Sequence, residues 1–133
     1  MLFRSFMMGS RLRQLCQRFS TLLDSPEVRA INNRPLLTDA DFHREYFSGT
    51  EVTLGTCVGV RKVLCQQLHL CNTRPADNVA SLFPDLDICE VCYEIGEEFD
   101  VSFSQSRIGI LNGSVDSLIR ETQRLRDERQ LKI

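Results

Sequence analysis

Residues 86–99 constrain what this 133-residue chain can fold into more than any other stretch. On a helical wheel, at about 100° per residue, Ile88, Val91, Cys92, Ile95 and Phe99 fall in one narrow arc. Asp87, Glu90, Glu94, Glu97 and Glu98 fill the roughly opposite arc. A segment sorted in this way predicts a helix over 86–99 with one face in a core and the other in water. Its polar face carries a single sign of charge. Between 75 and 106 the acids are Asp77, Asp85, Asp87, Glu90, Glu94, Glu97, Glu98 and Asp100, with no Lys or Arg among them. Like charges one turn apart, as at Glu90 and Glu94, cost a few tenths of a kcal/mol each. A one-signed stripe that bears this cost points to a basic protein surface as partner, with Asp87, Glu90, Glu94, Glu97 and Glu98 as the contact residues.

The remaining patterns are also helical. Met8, Leu12, Leu15, Cys16, Phe19 and Leu23 share a face of a helix over 8–23, flanked by Arg11, Arg13 and Arg18. Residues 1–23 contain no acid. Such a basic amphipathic segment is expected to dock on the domain; transit peptides and membrane-surface helices share its composition, so membrane contact is the lesser expectation. Asp24-Ser25-Pro26 ends it, and 26–37 reads as a connector punctuated by Asn32, Asn33 and Pro35. Thr38 is placed to cap a short helix through the Asp41 N–H, with Phe42 and Tyr46 stacked one turn apart and Ser48-Gly49 closing it. A further helix over 55–68 carries Cys57, Val60, Val63, Leu64 and Leu68 inward and Arg61, Lys62 and Gln66 outward. A loop over 71–84 follows, then the acidic helix. A last helix starts at the N-cap Ser114 and runs through Val115, Leu118, Ile119, Thr122 and Leu125. The expected core is Val60, Leu64, Leu68, Ile88, Val91, Cys92, Ile95, Phe99, Val115, Leu118 and Ile119.

Composition narrows the function classes. At 42% hydrophobic and 26% charged, the chain can bury a core without disulfide staples, and no apolar run approaches the roughly 18 residues of a membrane span. A net charge of −2 argues against nucleic acid, and the best-formed helix offers acids where a recognition helix needs Arg, Lys, Asn or Gln. The six cysteines sit mostly within apolar patterns, so reduced, buried thiols in a cytoplasmic protein are expected. Cys89 and Cys92 have metal-like spacing but no second pair, and neither His43 nor His69 has a ligand neighbour. No metal, no cofactor, no catalytic residue and no enzyme activity is expected.

The segment from Leu86-Asp87 to Glu97-Glu98-Phe99 resembles the second helix of acyl carrier proteins. Val60-Arg61-Lys62-Val63-Leu64 is similar to that family's first helix. Asp77-Asn78-Val79-Ala80-Ser81-Leu82-Phe83 resembles the end of its first loop, and Ser114-Val115-Asp116-Ser117-Leu118-Ile119 the start of its last helix. The resemblance covers residues 52–125 in the family's order, with one loop several residues shorter. It implies an all-α fold, an acyl-carrier-like four-helix bundle over 51–133 with an N-terminal helical arm and connector over 1–50. It also implies an acidic helix that meets partner enzymes. The family attaches 4′-phosphopantetheine to a serine at the helix entrance, where this chain has Pro84-Asp85-Leu86. Asp85 occupies the serine's place, and a carboxylate cannot form that phosphodiester. The expected function is a non-enzymatic, acyl-carrier-like interaction module without phosphopantetheine. The alternatives are a true carrier modified at another residue, or a small regulatory protein acting through its basic N-terminal helix.

Overall fold

The computed structural model describes residues 25–131; the basic helix expected over 8–23 lies outside the described residues. Within them the chain forms seven helices and no strand. In chain order these are α1 (Pro26–Asn32), α2 (Asp39–Tyr46), α3 (Leu54–Leu68), α4 (Val79–Leu82), α5 (Ile88–Phe99), α6 (Gln105–Ile108) and α7 (Val115–Leu131).

Local side-chain chemistry sets where these helices begin. Ser25, Thr38, Thr53, Asn78, Asp87 and Ser104 each stand in extended backbone before a helix and accept a first-turn N–H. Such a cap satisfies a donor that has no partner within its helix. Thr38 takes the Asp41 N–H at 3.2 Å, as its sequence position predicts. Ser114 does the same for α7 through the Ser117 N–H at 3.0 Å. α3 ends on His69, in left-handed conformation at φ 59°. The His69 and Leu70 N–H groups return to Cys65 O and Leu64 O, and Leu70 is fully buried behind them.

α3 is the central helix, and α2, α5 and α7 pack on it. Cys57, Val60, Val63, Leu64 and Leu68 of α3 meet Val91, Cys92 and Ile95 of α5 and Val115, Leu118 and Ile119 of α7 in one core. Ile88 and Phe99 pack against this core half-buried. Burying a side chain such as Leu64 or Ile95 contributes about 1.5–3 kcal/mol. α3 and α5 approach closely because Gly59 has no side chain. A Cβ there would lie 2.1 Å from the Phe99 ring.

Several expectations are corrected. Residues 26–32 are helical rather than a connector, because Pro26 suits a first helical turn and Val28 and Ile31 are buried. Val28, Ile31, Phe42 and Phe47 join the same core as α3, α5 and α7. The expected loop over 71–84 contains α4, whose Val79 is fully buried. Arg61 faces inward at 7% exposure rather than outward. Its guanidinium donates to Asp39 Oδ1 at 2.7 Å and Leu37 O at 3.0 Å and lies over the Phe42 ring at 4.5 Å. Those acceptors come from segments that wheel geometry cannot see. Finally, Cys65 and Cys71 are joined as a disulfide rather than held as thiols.

The turn before α4 is held from both sides. Arg34 grips Asp77 through two guanidinium bonds at 3.0 and 2.6 Å. Buried Asn72 donates to Arg34 O at 2.8 Å and accepts from the Leu37 N–H at 3.2 Å. Val115 N donates to Asp77 O at 2.9 Å and Val79 N to Gly113 O at 2.8 Å, around an isolated bridge between Asn78 and Ser114.

Candidate interaction surface

The acidic helix is the candidate site, and its residues separate by depth. Asp87 is exposed at the N-cap, where its carboxylate accepts the Cys89 N–H at 2.9 Å. A carboxylate there also meets the positive end of the helix dipole. Glu90 and Glu97 are half-buried on the wall of a groove. Glu98 is exposed and pairs with Lys62 of α3 at 3.2 Å. Asp100, in left-handed conformation just past the helix, pairs with Arg129 of α7 at 2.9 Å.

Glu94 corrects the wheel. At 7% exposure it is among the buried residues of α5 and does not belong to the outward surface. α5 is covered on more than one flank, by α3, α6 and α7, and this widens its buried arc beyond the apolar stripe. The outward acids are therefore Asp87, Glu90, Glu97 and Glu98. Lys62 reaches one of them from a neighbouring helix, a cation that the reading of 75–106 could not include.

The groove beside these acids has a volume of about 430 Å³ and runs between α5 and residues 101–108. Cys89 and Tyr93 of α5 face Phe103 and Ile108 across it, with Glu90 and Glu97 at its edge. Gly96 lets the two walls meet, since a Cβ there would lie 2.5 Å from Val101 O. The residue pattern gave no sign that Phe103 and Ile108 oppose α5.

Asp85 is exposed in the turn between α4 and α5, two residues before the Asp87 cap. The Leu86 N–H closes that turn on Phe83 O at 2.9 Å. Ser81, the nearest hydroxyl upstream, is exposed on α4.

The thiols offer little nucleophilic chemistry. Burial pushes Cys92 up to about 12 and Cys57 up to about 11. Cys89 is raised as well, by burial and then by its hydrogen bond with Asp87. These three are free cysteines and, held as neutral thiols, are poor nucleophiles. His43 Nε2 donates to Val52 O at 2.8 Å, a structural role, and His69 serves the end of α3. Among the described residues no group of three or more His, Cys, Asp or Glu side chains is arranged to hold a metal. No described helix is long and apolar enough to cross a membrane. Comparison with protein-family models, with curated proteins and with solved structures finds no match to this chain.

Proposed function

We propose that this chain is an acyl-carrier-like interaction module that bears no phosphopantetheine and docks a basic protein surface through α5. One observation carries the reading. Helix α5 follows directly on Pro84-Asp85-Leu86, with Asp87 as its cap and Glu90, Glu97 and Glu98 directed outward. The order of a long α3, a connection that contains the short α4, then α5, a short α6 and α7 supports the resemblance seen in residues 52–125. At position 85 a carboxylate stands where a carrier needs a hydroxyl, and its charge repels a phosphate donor. Neighbouring acids, Asp87 with Glu90 and Glu97 with Glu98, lie within about one Debye length of each other at physiological salt, so their fields add. Such a patch speeds the approach of a basic partner more than it tightens the final complex.

The chemical half of the proposal is tested with a promiscuous phosphopantetheinyl transferase, coenzyme A and intact mass. The wild-type chain is expected to remain unmodified. An adduct on it, at Ser81 or elsewhere, would favour a true carrier over this reading. Asp85→Ser is the companion variant. Modification there, with none on the wild type, isolates the carboxylate as the group that withholds the chemistry. The docking half is tested by capturing partners on the full chain and eluting with salt. A partner that elutes without regard to ionic strength would contradict the role given to the acids.

A further inference from the structure

The only disulfide among the described residues joins Cys65, in the last turn of α3, to Cys71, across a separation of six residues. The segment it spans is already held without it. His69 and Leu70 return their N–H groups to α3, Leu70 is buried, and Asn32 of α1 grips both ends of the turn. Asn32 Nδ2 donates to His69 O at 2.7 Å and Asn32 Oδ1 accepts the Cys71 N–H at 2.9 Å. A cross-link over so short a loop removes less freedom from the unfolded chain than one that closes a long loop. The turn is thus held by other bonds as well, and solvent has ready access to the disulfide. Cys71 is exposed and Cys65 half-buried.

The bond also opens into a groove. A depression of about 410 Å³ lies between residues 36–39 and α3, and both cysteines line it. Exposed Leu36 and Val58 form its apolar part, and Lys62 contributes a cation. Asp39 is also there, but it is engaged by Arg61 at 2.7 Å. Lys62, about half exposed, pairs with Glu98 and lies one turn before Cys65 on the same helix. A cation so placed stabilises a departing thiolate and attracts an anionic thiol.

We propose that Cys65–Cys71 is a reversible thiol–disulfide exchange site for a small anionic thiol of the glutathione class, seated in this groove beside Lys62. The incoming thiolate attacks the exposed Cys71 Sγ. The Cys65–Cys71 bond breaks, a mixed disulfide forms on Cys71, and Cys65 leaves as a thiolate that takes a proton from water. A second thiolate attacks the small-molecule sulfur of the mixed disulfide and releases Cys71, which is protonated in turn. Two thiols are oxidised to one small disulfide, and the protein pair gains two electrons and two protons. Cys57 and Cys92 take no part, because they are buried.

The full chain is equilibrated in mixtures of reduced and oxidised glutathione, alkylated, and mapped by peptide mass. The oxidised fraction of Cys65–Cys71 is expected to fall about tenfold or more from the oxidised to the reduced end of the series, with the helical circular dichroism retained. A pair that stays oxidised in reduced glutathione is a structural staple, and a pair that never forms in oxidised glutathione is no disulfide; either result overturns the proposal. Cys65→Ser in oxidised glutathione should accumulate a single adduct at Cys71, while Cys71→Ser should carry about fivefold less at Cys65. Adducts spread equally over Cys57, Cys89 and Cys92 would also overturn it. The seat is tested by Lys62→Gln, expected to slow reduction by glutathione about two- to threefold relative to reduction by neutral mercaptoethanol. Equal rates for the two thiols would remove the anionic seat from the proposal.

Discussion

Helices α5 and α7 both pack on α3 and on each other, yet they handle charge in opposite ways. α7 neutralises itself. Arg120 pairs with Asp116 at 3.0 Å, and Arg124 with Glu128 at 2.7 Å, each one turn along the helix. Its buried acid, Glu121, at 4% exposure, receives Arg124 at 2.7 Å and Arg107 of α6 at 2.9 Å. α5 contains no cation of its own, and Lys62 and Arg129 reach Glu98 and Asp100 from α3 and α7. In α7 charge serves packing. In α5 part of it stays on the surface.

This contrast can be broken first at the shared core. Ile95→Ala removes a fully buried side chain of α5 and should cost roughly 2–5 kcal/mol, read as a fall in melting temperature or denaturant midpoint. A cost near zero would mean that α5 is not held by its apolar face.

The next effect belongs to α7. Glu121→Gln leaves two guanidinium groups facing a neutral amide and should cost roughly 1–3 kcal/mol, less than for a fully buried pair because both arginines reach solvent. Hydrogen bonds from Arg124 and Arg107 hold the Glu121 carboxyl down at about 2, against an ordinary 4.5. A depressed acid stabilises the fold above its unfolded pKa and loses that contribution as pH falls through its folded one. Wild-type stability should therefore decline between about pH 4.5 and 2 by more than that of Glu121→Gln, in paired acid titrations followed by circular dichroism. Parallel curves would show that the pair contributes nothing in that window.

A smaller effect, about 1 kcal/mol, is expected for Ser25→Ala, which removes the cap that takes the Val28 N–H at 3.2 Å. Hydrogen exchange should quicken at Val28–Ile31 of α1 and leave α5 and α7 unchanged. The smallest stability effect is expected on the acidic face. Glu90→Gln with Glu97→Gln should alter stability by no more than a few tenths of a kcal/mol. The same double variant should slow association with a basic partner and flatten its salt dependence, measured by surface binding kinetics. If neither the rate nor the salt slope moves, the face is only solvated surface, and α5 and α7 differ in charge without differing in role.

Helices α2, α3, α5 and α7 were legible in the residues because periodicity and capping are local. The spacing of Ile88, Val91, Cys92 and Ile95 describes α5 whatever surrounds it, and Thr38 and Ser114 mark helix starts three residues before the N–H groups they accept. Residues 26–32 escaped notice because Asn32, Asn33 and Pro35 read as loop residues. Only the contact of Val28 and Ile31 with distant parts of the chain shows why this short segment holds as a helix. The same limit applies to the candidate surface. A wheel gives each side chain a direction but not what stands in that direction. Thus Arg61 turned inward because Asp39, Leu37 and Phe42 supply acceptors and a ring, and Glu94 turned inward because neighbouring helices cover its flank. The sequence by itself determined that α5 has an apolar face and an acidic one, since both follow from a 3.6-residue period. Which acids stay in water, that Lys62 answers Glu98, and that Cys65 meets Cys71 were decided by tertiary structure alone. Pairing depends on which atoms meet in space, and a linear pattern holds no distance between helices.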